Sequence, residues 1–320
     1  MKRIPWKTLL SFSVRAGITL FAFGWVFRRV DLASLRQTLA SADPFWLAGV
    51  VFLFFLSQAG CILRWSLLAP SHPAVNLRLL TSAYFVGSFF NTFLPTTVGG
   101  DVIRGWDLIK ATGEWRGSLA SILMDRLAGF VGFLSFAGAA WMLLPSARED
   151  PLLRASFAGF CLLVAVLFAV LGSRRILQTM LRPFGKIGLG QLQSHAKQFQ
   201  ETIRDYFRNP SKLLRAMAVT SVVQILAIGL YAATVKALRL PVPLTYLALV
   251  VPIIITISQV PVSLNGWGIR EWATVLFLGR IGISAHEALS ISLICALTPL
   301  LGGMIGAALF LSRRRRKKAP

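Results

Sequence analysis

Long apolar runs constrain this chain more than any other feature. Crossing a bilayer as a helix takes about 20 predominantly apolar residues, because the hydrocarbon core is about 30 Å thick. Five stretches meet that length: Pro44–Leu63, Ser118–Leu144, Leu152–Gly172, Ala216–Leu238 and Ala288–Leu311. A sixth, Leu9–Phe27, contains Arg15 and follows Met1-Lys2-Arg3. Its apolar run is long and ends without a clear small-x-small cleavage site, so it reads as a retained first helix rather than a signal peptide. In lipid every backbone polar group needs an internal partner, so such runs specify an all-α polytopic membrane protein. Composition agrees: 55% of residues are hydrophobic and 14% charged, against about 25% charged in soluble domains. A soluble globular protein, a disordered chain and a disulfide-stapled secreted module are thereby excluded.

Two further apolar regions are interrupted. Leu79–Leu94 runs into Pro95-Thr96-Thr97-Val98-Gly99-Gly100-Asp101, and Leu244–Val260 runs into Pro261-Val262-Ser263-Leu264-Asn265-Gly266 before a second apolar run, Trp272–Leu278. Pro and Gly clusters break helices, and non-helical backbone survives at membrane depth only inside protein or beside water. Each region therefore reads as a re-entrant or broken helical hairpin. The charge pattern supports that count. Lys and Arg number 34 against 12 Asp and Glu, a net charge of +22. Within Ser173–Arg215 nine Lys or Arg face only Glu201 and Asp205, the C-terminus carries Arg313–Lys318, and the N-terminus has Lys2, Arg3 and Lys7. Six full spans plus two hairpins place all three clusters in the cytoplasm, as the positive-inside rule requires, with both termini inside. The basic clusters then face anionic inner-leaflet lipids, and nucleic acid is not an expected partner.

The resulting organisation is one integral membrane domain over 1–320. Its first half is 1–144 with a hairpin at 79–110, and its second is 152–312 with a hairpin at 243–281. A cytoplasmic connector at 173–215 joins them, and a basic tail covers 313–320. In the connector, Leu189, Leu192, Ala196, Phe199, Ile203 and Tyr206 recur at helical spacing, which predicts an amphipathic helix lying on the inner leaflet.

The hairpins resemble each other. Pro95–Trp106 (PTTVGGDVIRGW) and Pro261–Trp272 (PVSLNGWGIREW) align without a gap, pairing Pro95 with Pro261, Gly100 with Gly266, Ile103 with Ile269, Arg104 with Arg270 and Trp106 with Trp272. Since the topology puts one hairpin on each side of the membrane, this is an inverted repeat. Short Gly/Pro-interrupted segments at matching positions of such repeats point to a transporter's binding site.

Ionisable groups at the centre of a membrane helix cost about 2.5–3.5 kcal/mol each by insertion scales, so those present need a reason. They are Asp101 and Arg104, Asp125 and Arg126, and Arg270 and Glu271 beside Asn265. Arginines suit bidentate contact with phosphate. Gly99, Gly100, Gly266 and Gly268 allow close backbone approach to a ligand. The alternative is that Asp101–Arg104 and Arg270–Glu271 are ion pairs that lock the hairpins. Asp125 and Arg126 are adjacent and point to different helix faces, so each is expected to pair elsewhere, with the hairpin clusters for example. Arg15 and Arg64 read as snorkelling to headgroups. Asn91, Gln58, Gln224 and Gln259 either line a polar path or glue helices together. His72, His195 and His286 show no metal spacing, and Cys61, Cys161 and Cys295 lie in separate spans without a CxxC. There is no P-loop and no evident nucleophile triad, so no catalytic residue, metal or cofactor is assigned.

Gly99-Gly100-Asp101-Val102-Ile103-Arg104, Asp125-Arg126-Leu127-Ala128-Gly129 and Asn265-Gly266-Trp267-Gly268-Ile269-Arg270-Glu271 together resemble the three signatures of the lysylphosphatidylglycerol synthase transmembrane-region (flippase-like) family. The similarity runs roughly from Leu9 to Leu311. One departure is Asn265-Gly266, where the family pattern has a second Gly pair. In its bifunctional members, which resemble multiple peptide resistance factor, this membrane domain is joined to a soluble aminoacyl-transferase domain. The resemblance here implies the translocating part without the synthase. Stand-alone relatives handle phospholipids, polyprenyl-linked sugars or hopanoid-type lipids.

The expectation is a bacterial inner-membrane lipid translocase that moves a phospholipid or polyprenyl-type lipid between leaflets. Arg104 and Arg270 would hold phosphate, while Asp101, Asp125 and Glu271 set arginine geometry or meet a cationic headgroup. Two alternatives stand beside it. One is a membrane-embedded transferase acting on a lipid-linked substrate. The other is a scaffold for lipid-synthesis enzymes; a second copy of the chain or such an enzyme is the protein partner to look for.

Overall fold

The computed structural model describes residues 6–93, 99–173, 190–260 and 263–316, together with residue 179. Among them are thirteen helices and no strand: α1 (Trp6–Phe27), α2 (Leu32–Ala40), α3 (Pro44–Leu68), α4 (Leu77–Phe93), α5 (Gly99–Thr112), α6 (Trp115–Leu143), α7 (Pro145–Glu149), α8 (Pro151–Gly172), α9 (Gly190–Arg208), α10 (Pro210–Ala237), α11 (Leu244–Gln259), α12 (Ile269–Gly279) and α13 (Ala285–Arg316). Five of these are long and apolar enough to cross a membrane: α3, α6, α8, α10 and, over Ala285–Arg313, α13. The chain is thus an all-helical, polytopic membrane protein.

Three of the five spans start in the same way. Asp43-Pro44, Asp150-Pro151 and Asn209-Pro210 each place an acceptor side chain at the N-cap and a proline in the first turn. The cap carboxylate or amide accepts from backbone N–H groups that a helix start leaves unpaired, and proline needs no such partner there. Proline is also met inside a span. Pro299 of α13 has no N–H to give the carbonyl of Cys295, and the Thr298 hydroxyl donates to that carbonyl instead, at 2.9 Å. The freed polar group is thereby satisfied within the helix.

The packing of these helices is reciprocal between the two halves. α4, the first arm of one interrupted region, lies along α13, the span that follows the other region. α11, the matching arm, lies along α6. α3 and α10 pair with each other, α5 packs on α4 and α6, and α12 packs on α11 and α13. Exchanging the halves maps α3–α10 onto itself and each of the other pairings onto another.

Glycine makes the closest of the crossings possible. Gly303 and Gly306 of α13 face α4, Gly302 meets Phe54 of α3 and Ser88 of α4, and a side-chain carbon at Gly306 would collide with the backbone carbonyl of Phe85. Lipid gives helices no hydrophobic drive to associate, so small residues that allow backbone approach carry the packing. Gly132 of α6 meets Thr220 and Gln224 of α10 in the same manner.

α9 sits differently from the sequence expectation. Its residues Phe199, Ile203 and Tyr206 are turned into the protein, against Leu68, Ala120, Met124, Leu127 and Ala216, rather than laid on the leaflet. Its polar groups close the ends of two spans. Gln200 and Arg204 donate to the carbonyls of Leu171 and Gly172 at the end of α8, and the Tyr206 hydroxyl donates to the Leu68 carbonyl at the end of α3. The last carbonyls of a helix are left without intrahelical donors, so α9 acts as a shared cap. The side chains of Leu189, Leu192 and Ala196 lie outside those described.

Gly306→Ala should lower the stability of the detergent-solubilised protein by about 1–3 kcal/mol, the usual cost of forcing an extra carbon into a packed contact. Gly17→Ala, where a side-chain carbon meets nothing, is the control. Thermal melts followed by circular dichroism check the difference.

Candidate functional site

The charged residues singled out in the sequence gather around one cavity of about 460 Å³. α5 supplies Asp101 and Arg104, α6 supplies Asp125 and Arg126, and the turn before α12 leads to Asn265 and Arg270; all six line it. So do Gln58, Asn91, Gln224 and Gln259. Glu271 stands one residue behind the wall, fully buried and bonded to Arg270. Both interrupted regions therefore contribute to a single chamber. Residues 94–98 and 261–262, which include Pro95 and Pro261, lie outside the described residues.

The first cluster is a chain of shared contacts. Asp125, 3% exposed, accepts from Nε of Arg64 at 2.7 Å on one oxygen and from Nη2 of Arg104 at 3.0 Å on the other. Asp101 accepts from Arg104 at 3.5 Å and from Arg126 at 2.7 Å. Arg126 also donates to Oε1 of Gln259 at 2.6 Å, which ties α6 to the end of α11 in the other half. The Arg104 guanidinium lies 4.1 Å over the Trp65 ring and 4.8 Å over Tyr84. Aromatic faces and carboxylates are what make a buried cation tolerable at such a place.

The second cluster is simpler. Arg270 donates through Nε at 3.0 Å and Nη2 at 2.7 Å to the same Oε1 of Glu271, and stands 5.0 Å over the Trp267 ring. Glu271 caps its own helix by accepting from the Gly268 N–H at 2.6 Å, and it also accepts from the Ser292 hydroxyl of α13 at 3.3 Å. The pair Arg270–Glu271 thus holds the start of α12 and presents a guanidinium to the cavity.

Several sequence expectations need correction. Arg64 does not snorkel to headgroups: it is 7% exposed, lines the cavity and carries one of the two bonds to Asp125. The glycines serve protein packing rather than an open approach to ligand. Gly100 donates its N–H to Asn91 Oδ1 at 2.6 Å and sits against the Gly87 carbonyl, so α4 and α5 touch at backbone distance. Gly266, with φ +76, is closed by the Ser258 carbonyl, and Gly268, with φ +81, by the Thr19 carbonyl and Ala22. None of these three lines the cavity, and Gly99 forms the first residue of α5.

Sequence reasoning also missed α1 as a support. The Leu264 N–H donates to the Thr19 hydroxyl at 2.9 Å, so the first helix clamps the turn that carries Asn265. Asn265 takes a left-handed backbone, φ +51, which an asparagine tolerates better than most side chains.

Removing one partner of a buried ion pair costs about 3–5 kcal/mol, because the other charge stays behind. Asp125→Ala should therefore destabilise the protein by that amount. Combining it with Arg64→Ala should cost less than the sum of the two single changes, with a coupling of about 1–3 kcal/mol. Melting temperatures of the four proteins in one detergent check the cycle.

The lysylphosphatidylglycerol synthase TM region family model matches residues 10–307, nearly the whole chain. No curated protein and no solved structure gives a match. The extent of the family match, over a polytopic helical fold whose three signature segments meet at one cavity, identifies this chain as a member of the lysylphosphatidylglycerol synthase transmembrane-region family.

Proposed function

We propose that this protein is a lipid translocase of the bacterial inner membrane. Its central cavity admits the polar headgroup of a phospholipid or lipid-linked molecule while the hydrocarbon remains in the bilayer. The observation that carries the reading is the convergence of Arg104 from one interrupted region and Arg270 from the other on one chamber of about 460 Å³. A headgroup crossing hydrocarbon unaided loses the hydration of its ionised phosphate, at a cost on the order of tens of kcal/mol by Born solvation. A chamber lined by guanidiniums, carboxylates, Asn and Gln offers replacement partners midway.

The two interrupted regions act in this reading as re-entrant hairpins of an inverted repeat. The reciprocal packing of α4 on α13 and α11 on α6 supports it, since it is what two interlocked copies of one unit would produce. Arg126 bridges the halves through Asp101 and Gln259. A change in the separation of the halves would act first on that bridge, giving alternate openings to the two leaflets. The basic segment Ser173–Arg215 and the Arg313–Lys318 tail set the orientation, with both termini in the cytoplasm.

Proteoliposomes carrying fluorescent phospholipids, quenched from outside by a membrane-impermeant reductant, test the reading. Wild-type protein should expose inner-leaflet label to quencher, and the Arg104→Ala/Arg270→Ala double variant should fall to the rate of protein-free vesicles. Equal movement by the wild type and the double variant would remove the proposed mechanism.

A further inference from the structure

The central cavity holds more positive charge than its carboxylates neutralise. Arg64, Arg104, Arg126 and Arg270 line it. The carboxylates bonded to them among the described residues are Asp101, Asp125 and Glu271, one fewer. Each carboxylate is already engaged: Asp125 and Asp101 by two guanidiniums apiece, and Glu271 by Arg270, Ser292 and the Gly268 N–H. The unspent hydrogen-bonding capacity is on the cations. Nε of Arg104 is buried and has no hydrogen-bond partner among the described residues. Among the described residues, Arg64 hydrogen-bonds through Nε alone, and Arg270 spends Nε and Nη2 on one carboxylate oxygen. An uncompensated charge in a low-dielectric site calls for a counter-ion. Planar guanidinium edges match the oxygens of a phosphate.

Beside this cavity, between α5, α6 and α11, runs a second hollow of about 370 Å³. Its wall is apolar, built by Val102, Leu119, Leu123 and Phe130. Asp101, Arg126 and Gln259 border both spaces and so form a polar sill between them. Val102 is 62% and Leu119 38% exposed on the outer side, on helices of which α6 is long and apolar enough to cross a membrane. A groove of that kind opens to hydrocarbon on one side and to a cationic chamber on the other.

We infer that the two spaces hold one amphiphile: a phosphate-bearing headgroup of net negative charge in the arginine cavity and its hydrocarbon chain in the groove between α5, α6 and α11. The inference rests on the translocation reading above and narrows its substrate to anionic lipids. A headgroup of net positive charge would add to the existing surplus instead of cancelling it, and no carboxylate is left unengaged to receive it. Zwitterionic headgroups fall between, since their phosphate is matched and their ammonium is not.

The test uses full-length protein in liposomes with three lipids that share one fluorescent tail: phosphatidylglycerol, phosphatidylcholine and the cationic ethylphosphatidylcholine. Phosphatidylglycerol should move at least about tenfold faster than the cationic lipid, a discrimination of one matched charge. Leu119→Trp and Val102→Trp, both at outward positions, should each slow phosphatidylglycerol by about tenfold through filling the groove. Glycerol phosphate, the headgroup without a chain, should raise the melting temperature of wild type and both variants equally. Equal rates for the anionic and cationic lipids, or no glycerol phosphate shift in the wild type, overturn the headgroup assignment. Wild-type rates in both tryptophan variants overturn the groove, as does loss of the glycerol phosphate shift along with movement. In each of those cases, loss of movement in Arg104→Ala/Arg270→Ala leaves the translocation reading standing. Failure of the wild type to move any of the three lipids overturns both.

Discussion

Asp125 can be buried at 3% exposure between apolar spans only because two guanidiniums reach it, Arg64 from α3 and Arg104 from α5. That arrangement dictates much else. Arg104 must lie flat on Trp65 and Tyr84 and must share its charge with Asp101, and Asp101 in turn positions Arg126. Four helices are thus fixed relative to one another by one carboxylate and its neighbours. Partner loss is costly for such a network, while its completeness supplies little net stability. Buried charge of this kind is better explained by a task than by folding.

The second half does the same job with fewer parts. Arg270 and Glu271 form a pair within one helix start, and the partners that hold them, Ser292 and Gly268, come from the next span and the preceding turn. The two interrupted regions therefore differ in their chemistry, although the helix pairings around them are reciprocal. Asp101 and Gly105 of the first region align with Trp267 and Glu271 of the second. The cavity gains a carboxylate on one side and an aromatic face on the other. At the cavity Arg126 reaches across the halves to Gln259, and farther along α13 Arg313 reaches back to Ser82 and Asp107.

Five of the six expected spans, the two interruptions and the six charged residues were legible in the chain because each has a local signature. Apolar length marks a span, Pro and Gly mark a break, and an ionisable residue inside an apolar run is conspicuous by its cost. What was not legible depends on partners far away in sequence. Arg64 ends an apolar run exactly as a snorkelling residue would, and its role follows only from Asp125, 61 positions later. Thr19 is an unremarkable hydroxyl in a first helix until the Leu264 N–H, 245 positions away, finds it. Gly100 and Gly268 were expected where backbone meets ligand, and instead they are where backbone meets backbone. The apolar face of α9 has the same periodicity whether lipid or protein covers it, so periodicity alone left the covering undecided.

The account rests on the arginine cavity being a headgroup site. The most direct measurement is a cryo-electron microscopy structure of the protein in nanodiscs made of phosphatidylglycerol. Phosphate density within hydrogen-bonding distance of Arg64, Arg104 or Arg270, with chain density running into the groove beside Leu119, is the predicted result. A cavity filled only with water, with every lipid phosphate confined to the two headgroup planes, would contradict it.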